Sequence, residues 1–311
     1  MRLKSALRRG VAAAVIAGIV VSSGIPAYAA RWNIADGDIT VRADDAEGKN
    51  RVSQGEKENV EDTDTVITGK SKEHTVTIDT SGGKVDVTFD DLKIDVSGKK
   101  EGDGSDDSPV DAGKAAVTVQ GGGDATIELD GDNKLKSGSG NAGLEKNKHE
   151  SKGTLTIKDD KGKDGSLTAE GGDDGAGIGG GIGSTGGSIT IRGGTIEAVG
   201  GSNAAGIGDG AGPWSEPDPD IPPSNPSNPN NIIICGDAEV TAKAGSQMTD
   251  AKAPAIGGKY GEVPTENLSD DEHKVTGGRL TRLNADGTVM EGMGYDYTLS
   301  LIHISEPTRP I

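Results

Sequence analysis

A chain of 311 residues with one cysteine, one phenylalanine, two tryptophans and four tyrosines lacks most of what usually holds a compact extracellular domain together. The lone Cys235 excludes an internal disulfide, so no covalent staple supports the fold. Its setting, "NIIICGD", reads as a small buried hydrophobe, with a reactive thiol as the alternative. Aromatic residues make up 2% of the chain, so any core must be built from aliphatic side chains instead of large rings. Histidine is scarce as well: His74, His149, His273 and His303 are dispersed and lack the spacing of a zinc site. No apolar run reaches the roughly 20 residues of a membrane span.

Cations are in short supply. The opening "MRLKSALRRGVAAAVIAGIVVSSGIPAYAARWN" has a basic start, an apolar stretch to about Val21 and Ala27-Tyr28-Ala29 before the expected cut. That is the layout of a secretory signal peptide over residues 1–30, which predicts a secreted, extracellular and surface-associated protein that meets a membrane only through this segment. Its removal leaves 28 basic against 50 acidic side chains, a net charge of −22. Such a balance speaks against a nucleic-acid partner, whose affinity comes largely from Lys and Arg on phosphates. It favours solubility and offers places where divalent cations could collect.

Glycine, in contrast, is abundant at 51 residues, and it hides a repeat. Apolar pieces recur in fixed order: "ATIEL", "TLTI", "SITI" and "NIII" from Ile127, Leu155, Ile189 and Ile232; then pieces centred on Leu135, Leu167, Ile196 and Val240; then Leu144, Ile178, Ile207 and Ile256. Leu167 to Ile196 and Ile178 to Ile207 are both 29 residues. Longer intervals contain visible insertions, such as "PWSEPDPDIPPSNPSNPN". Each piece alternates with period two, the mark of a short half-buried strand, and glycine pairs stand at the corners, where positive φ is available. The expected fold is all-β: a right-handed parallel β-helix, or β-solenoid, with about three short strands per coil of roughly 29 residues. A Gly-rich linker, the alternative, has no reason to keep its aliphatics in register over four turns.

The expected organisation is an N-terminal cap with entry strands over 31–70, the β-helix over 71–260 with a Pro-rich loop at 212–231, and a linker or final coil over 261–298. Trp32 is placed as a lid on the open coil end, with sugar contact as the alternative. The tail "LSLIHISEPTRPI" (299–311) resembles translated sequencing-adaptor read-through, so the natural chain is expected to continue past about Thr298.

The phrases "VDVTFDDLKIDVSG", "ATIELDGDNKLKSGSGNAGLE" and "GGSITIRGGTIEAVGGSNAAGIGDG" resemble the β-helical surface proteins of gut and soil Firmicutes, of the carbohydrate-binding-domain and adhesin kind. The resemblance covers about residues 31–260. It implies a non-catalytic module that binds extracellular polysaccharide or a host or cell-wall glycan. One related family binds acidic plant polysaccharide with calcium.

Among individual residues, Trp214 opens the Pro-rich loop and Tyr260 follows the last "AIG" piece; these are the candidate sugar contacts. An indole face fits a sugar ring, but it equally fits the solenoid wall. Asp130 and Asp132 in "LDGDN", with Asp159, Asp160 and Asp164 in "IKDDKGKDG", are the candidate calcium ligands, on the expectation that stacking brings Asp132 beside Asp160. Calcium asks for six to eight oxygens, and no EF-hand loop is present, so solvated turn aspartates are the competing reading. No lyase or polygalacturonase motif is recognisable. A pectate-type polysaccharide lyase, a structural stalk and a protein-binding adhesin are the alternatives to glycan binding.

Overall fold

The computed structural model describes residues 30–44, 48–98, 113–162, 164–212, 231–246, 253–258, 261–262, 274–292 and 294–296. Among them there is no α-helix, and the strands stack in parallel around an axis. The chain begins with β1 (Arg31–Asn33), β2 (Ile39–Ala43), β3 (Asn50–Gln54), β4 (Lys57–Asp62) and β5 (Thr65–Ser71). The solenoid proper follows with β6 (Val76–Asp79) and the long β7 (Val85–Asp95). Three-strand coils come next: β8 (Val117–Gln120), β9 (Ala125–Asp130), β10 (Asp132–Lys136); β11 (Leu144–Glu145), β12 (Leu155–Lys158), β13 (Ser166–Glu170); β14 (Ile178–Gly179), β15 (Ser188–Ile191), β16 (Thr195–Val199); β17 (Ile207–Gly208), β18 (Asn231–Ile234), β19 (Glu239–Lys243). A last turn holds β20 (Ile256–Gly258), β21 (Gly261–Glu262), β22 (Lys274–Val275), β23 (Arg279–Leu283) and β24 (Tyr295–Asp296).

Corresponding strands pair in parallel and form three ladders. The first runs β1–β5–β7–β9–β12–β15–β18–β22. The second runs β7–β10–β13–β16–β19–β23. The third runs β2–β6–β8–β11–β14–β17–β20. β7 serves two ladders because it turns a corner at Asp91, which takes φ 52°, so its first part pairs with β9 and its last part with β10.

Period-two alternation decides what is buried. Ile189 and Ile191 point inward while Thr190 is half-buried outside, and Leu155 and Ile157 repeat this one coil earlier. The inward side chains merge into a single aliphatic core, with Phe89 and Trp32 inside it. Each fully buried aliphatic contributes about 1.5–3 kcal/mol, which a single coil cannot turn into stability without neighbours.

Two of the expected alignments are off by two residues. Leu155 lies opposite Ala125, so Ile127 faces Ile157. On the second ladder Leu135 faces Ala169, and Leu167 faces the buried Asn133. A shift of two keeps every side chain on its face, so the hydrophobic pattern alone cannot detect it. The third-ladder alignment Leu144–Ile178–Ile207–Ile256 is as expected. Coil length is less uniform than 29: Leu144 to Ile178 is 34 residues and Ile207 to Ile256 is 49.

The glycine corners are of two kinds: Gly187, Gly194 and Gly278 take the positive φ expected of them, and a second kind does not. Gly172, Gly201 and Gly245 stack in one column without positive φ. A Cβ on any of them would collide with the carbonyl of the glycine one coil below, namely Gly138, Gly172 and Gly201. Close approach is what this corner demands. Its left-handed residues come two places later, at Gly140, Asp174 (φ 64°) and Asn203 (φ 59°), residue types that tolerate that region.

Antiparallel strands cover part of each end of the stack. At the start, β2 pairs antiparallel with β3 and β3 with β4. Trp32 is 3% exposed within the first ladder, opposite Ile67. Its indole N–H donates to the buried Asp62 carboxylate at 2.7 Å, which also accepts from the backbone N–H groups of Ala30 and Asp64 at 3.2 Å. At the far end, β21 lies antiparallel on β20 and β24 on β23. β22 and β23 continue the first two ladders, so residues 274–283 form coil and not linker.

Candidate functional site

Every second residue of the first ladder must face outward, and these residues line up as coils stack. One outward row is Asp86–Thr126–Thr156–Thr190 and the next is Thr88–Glu128–Lys158. The turns at Gly48–Asn50 and Thr63–Thr65, on either side of the β3–β4 hairpin, rise beside these rows and convert a flat sheet into a cleft of about 460 Å³. Asn50 fixes this wall to the floor, its amide donating to the Asp86 carbonyl at 2.7 Å and to the Thr65 hydroxyl at 2.9 Å. Lys161 closes one end by reaching Asp64 across the opening at 3.3 Å. Lys84, Val87, Asp124 and Arg192 also line the cleft.

Glu128 organises the floor. It is nearly buried, with one carboxylate oxygen 3.0 Å from the Lys158 ammonium. The other accepts from the backbone N–H groups of Asp160 and Lys161, both at 2.7 Å. The 158–161 turn is thereby held against the preceding coil, and Lys161 is aimed at the cleft. Lys158 sits between two carboxylates, Asp160 at 2.7 Å and Glu128; the hydrogen bond to Asp160 leads in holding its pKa above the ordinary lysine value, against partial loss of solvent. Hydroxyls, carboxylates and ammonium groups on a rigid floor can donate to and accept from a polyhydroxylated ligand in fixed directions. No aromatic side chain lines the cleft.

The five candidate calcium ligands do not converge. Asp132 lies opposite Ser166, not Asp160, and faces the second ladder, with Lys93 at 3.2 Å and Lys134 at 3.5 Å. Partial desolvation opposes ionisation there, but hydrogen bonds and attraction from those lysines hold its pKa below the ordinary carboxylate value. Asp160 pairs with Lys158, and Asp159 turns inward to accept from the Gly165 N–H at 3.0 Å. Asp130 does keep acidic company, with Asp159 and Asp164 of the five and with Asp90. Loss of water around it, with repulsion from Asp90 and Asp164, raises its pKa while Arg31 opposes the shift. Among the described residues no three His, Cys, Asp or Glu side chains form a group that could hold a metal ion.

Comparison with protein-family models, curated proteins and solved structures finds no match.

Trp214 and Tyr260, the candidate sugar contacts, lie outside the described residues, as does nearly all of the Pro-rich loop at 212–231. Trp32 is in the core and unavailable to a ligand. The cleft residues Thr126, Thr156, Lys158 and Lys161 were not singled out from sequence. The polar places in "ATIEL" and "TLTIKDD" do mark Thr126 and Thr156 as outward, and that signal was readable. The wall supplied by residues 48–50 and 63–65 was not, because it depends on how the N-terminal hairpin folds over a later coil.

Proposed function

We propose that this chain is an exported bacterial surface β-solenoid that binds polysaccharide without transforming it, and that the cleft over the first ladder is where it binds. The observation that supports this reading is the cleft floor. Threonine hydroxyls at 126 and 156 repeat at strand spacing, about 4.8 Å, and Thr190 continues the row past the cleft, on a surface that cannot rearrange without shifting whole coils. A ligand with hydroxyls repeating along an extended chain meets that array with little ordering cost on the protein side. Export rests on the signal-peptide pattern of the first 30 residues.

Affinity electrophoresis through gels containing xylan, pectin or mucin glycans tests the proposal. At least one should retard the intact chain. Replacing both Thr126 and Thr156 by Val removes two hydroxyls, each worth about 0.5–1.5 kcal/mol as a hydrogen bond, and should weaken retention about tenfold. Equal retention of the double variant, or no retention by any glycan, would set the proposal aside.

A protein-binding or stalk role is the second reading. It is favoured by the absence of an aromatic platform in the cleft and by the continuous core along the stack. Lyase chemistry needs a base free to take a proton. In the cleft Glu128 is already engaged by Lys158 and two backbone donors.

A further inference from the structure

The outer face of the second ladder carries a feature that an acidic protein has little reason to build. Lys70 of β5 stands opposite Lys93 of β7, and Lys93 stands opposite Lys134 of β10. Three ammonium groups thus follow one another on adjacent strands, about 4.8 Å apart at the backbone. Like charges directly opposite across a ladder are destabilising. The chain has 50 acidic residues available and places none of them in these three positions.

Backbone irregularity produces the alignment. Thr68 faces Asp90 but Lys70 faces Lys93, so β7 holds one extra residue, and Asp91 absorbs it in the left-handed region. Without that bulge, Lys70 would not fall opposite Lys93. Bulges that re-aim a side chain are features of binding sites as well as of corners.

Lys72 and Lys136 join the row around a hollow of about 410 Å³. The nearby carboxylates are fewer than the ammonium groups. Asp132 is shared between Lys93 and Lys134, and Glu170 pairs with Lys136 at 2.8 Å. Asp95 accepts from the hydroxyl of its neighbour Ser97 and is also drawn to Lys136 and Lys72, which leaves five ammonium groups against three carboxylates. Lys70 has no ion pair among the described residues, and both Lys70 and Lys72 are exposed.

We infer that the Lys70–Lys93–Lys134 row, flanked by Lys72 and Lys136, is a second glycan site that takes an acidic polysaccharide by direct contact with its anionic groups, with no bridging cation. The ligand lies along the solenoid axis, crossing strands, so that successive carboxylates or sulfates meet successive lysines. Single-stranded nucleic acid is the other polyanion of this shape. It binds where aromatic side chains stack its bases, and the hollow has none. The inference takes from the proposed function only that the ligand class is polysaccharide; the cleft and this row are on different ladders and fail separately.

The test is affinity electrophoresis of the full chain through polygalacturonate, chondroitin sulfate, neutral xylan and polyuridylate, all in excess chelator. Retardation by polygalacturonate or chondroitin sulfate is expected, and which one binds identifies carboxylate or sulfate as the partner. It should vanish at about 1 M salt, where charge is screened beyond roughly 3 Å. The triple change Lys70→Gln, Lys93→Gln, Lys134→Gln should weaken it at least tenfold, while Lys152→Gln, at an exposed position that lines neither the cleft nor the hollow, leaves it unchanged. The triple variant should melt close to the parent, because the repulsion it relieves offsets the two partly exposed pairs with Asp132 that it removes. If it does not fold, Lys70→Gln alone, at an exposed position, should still weaken retardation two- to threefold. Undiminished binding by these variants, no binding to either acidic glycan in chelator, or stronger retardation by polyuridylate would overturn the inference. Loss of xylan binding alone would count against the cleft and not against the lysine row.

Discussion

At Gly201 a single missing methyl group decides whether two coils can stack. Its φ is ordinary, so the argument is steric: a Cβ would meet the Gly172 carbonyl, which is fixed by the ladder on either side. Gly201→Ala should destabilise by about 1–3 kcal/mol through overpacking. Asn203, two residues on, fails for a different reason. Its left-handed backbone should make Asn203→Ala cost about 1–2 kcal/mol, and Asn203→Gly almost nothing. Urea unfolding of the three variants separates close approach from backbone conformation. Trp32 is the other residue on which much depends. Trp32→Phe keeps the ring but removes a donor from the buried Asp62, so a loss of about 1–3 kcal/mol is expected, read as a lower melting temperature.

Lys146 carries the pH dependence at this scale. It follows β11, is almost fully buried, and donates to the Ser151 carbonyl at 3.0 Å. Burial, helped by Lys148 and opposed by Asp124, lowers its pKa from 10.5 to about 8. The unfolded chain therefore binds more protons than the folded one between those values, and stability contributed by this group rises with pH across that window. Below about 8 both states are charged and the burial penalty is present in full. Lys146→Met should gain most relative to the parent at neutral pH. That advantage should shrink between about pH 8 and 10.5, as denaturant melts at several pH values would record.

At the scale of elements, the strands and most of their register are legible in the sequence. Only the steps from Ile127 and from Leu135 to the next coil slip by two, while Leu155–Ile189–Ile232, Leu167–Ile196–Val240 and Leu144–Ile178–Ile207–Ile256 align as expected. Alternation marked Ile189, Ile191, Leu155 and Ile157 as inward, and it placed Thr126 and Thr156 outside. It could not say that Leu167 stacks on an asparagine. Asn133 stands where its ladder otherwise carries Leu167, Ile196 and Val240 because it brackets the corner of β7 and β10. Its carbonyl accepts from the Leu92 N–H at 2.9 Å, and its amide donates to the carbonyls of Asp130 and Ser166 at 3.1 Å. The sequence offers Asp130 and Asp132 of "LDGDN" as calcium ligands; the structure uses Asn133 of the same stretch as a clamp. Asn133→Leu, which a consensus of the ladder would recommend, should be destabilising by about 1–3 kcal/mol because three backbone groups lose their partner. A gain in stability would show that the aliphatic ladder outweighs the clamp.

At the scale of the molecule, stacked coils present unpaired edges at each end, and such edges invite association. Antiparallel strands cover the third ladder at both ends and the second ladder at its far end. A chain ended after residue 246 loses β20 to β24 and uncovers β17, β18 and β19. It should associate in a concentration-dependent way in light scattering, while the intact chain does not. The two proposed glycan sites belong to this scale too, since each is a row formed by several coils and neither exists within one.

Composition and periodicity by themselves determined that the chain is a parallel β-solenoid with an aliphatic core, because burial at period two and a recurring order of strands leave few other ways to hide so much Ile, Leu and Val without aromatics. They also determined which faces point outward. The tertiary structure alone decided the two steps at which Ile127 faces Ile157 and Asn133 faces Leu167, because a slip of two leaves the pattern of burial unchanged. It alone also separated Asp132 from Asp160, raised the hairpin wall over Thr126 and Thr156, and, through the extra residue in β7, set Lys70, Lys93 and Lys134 in one line.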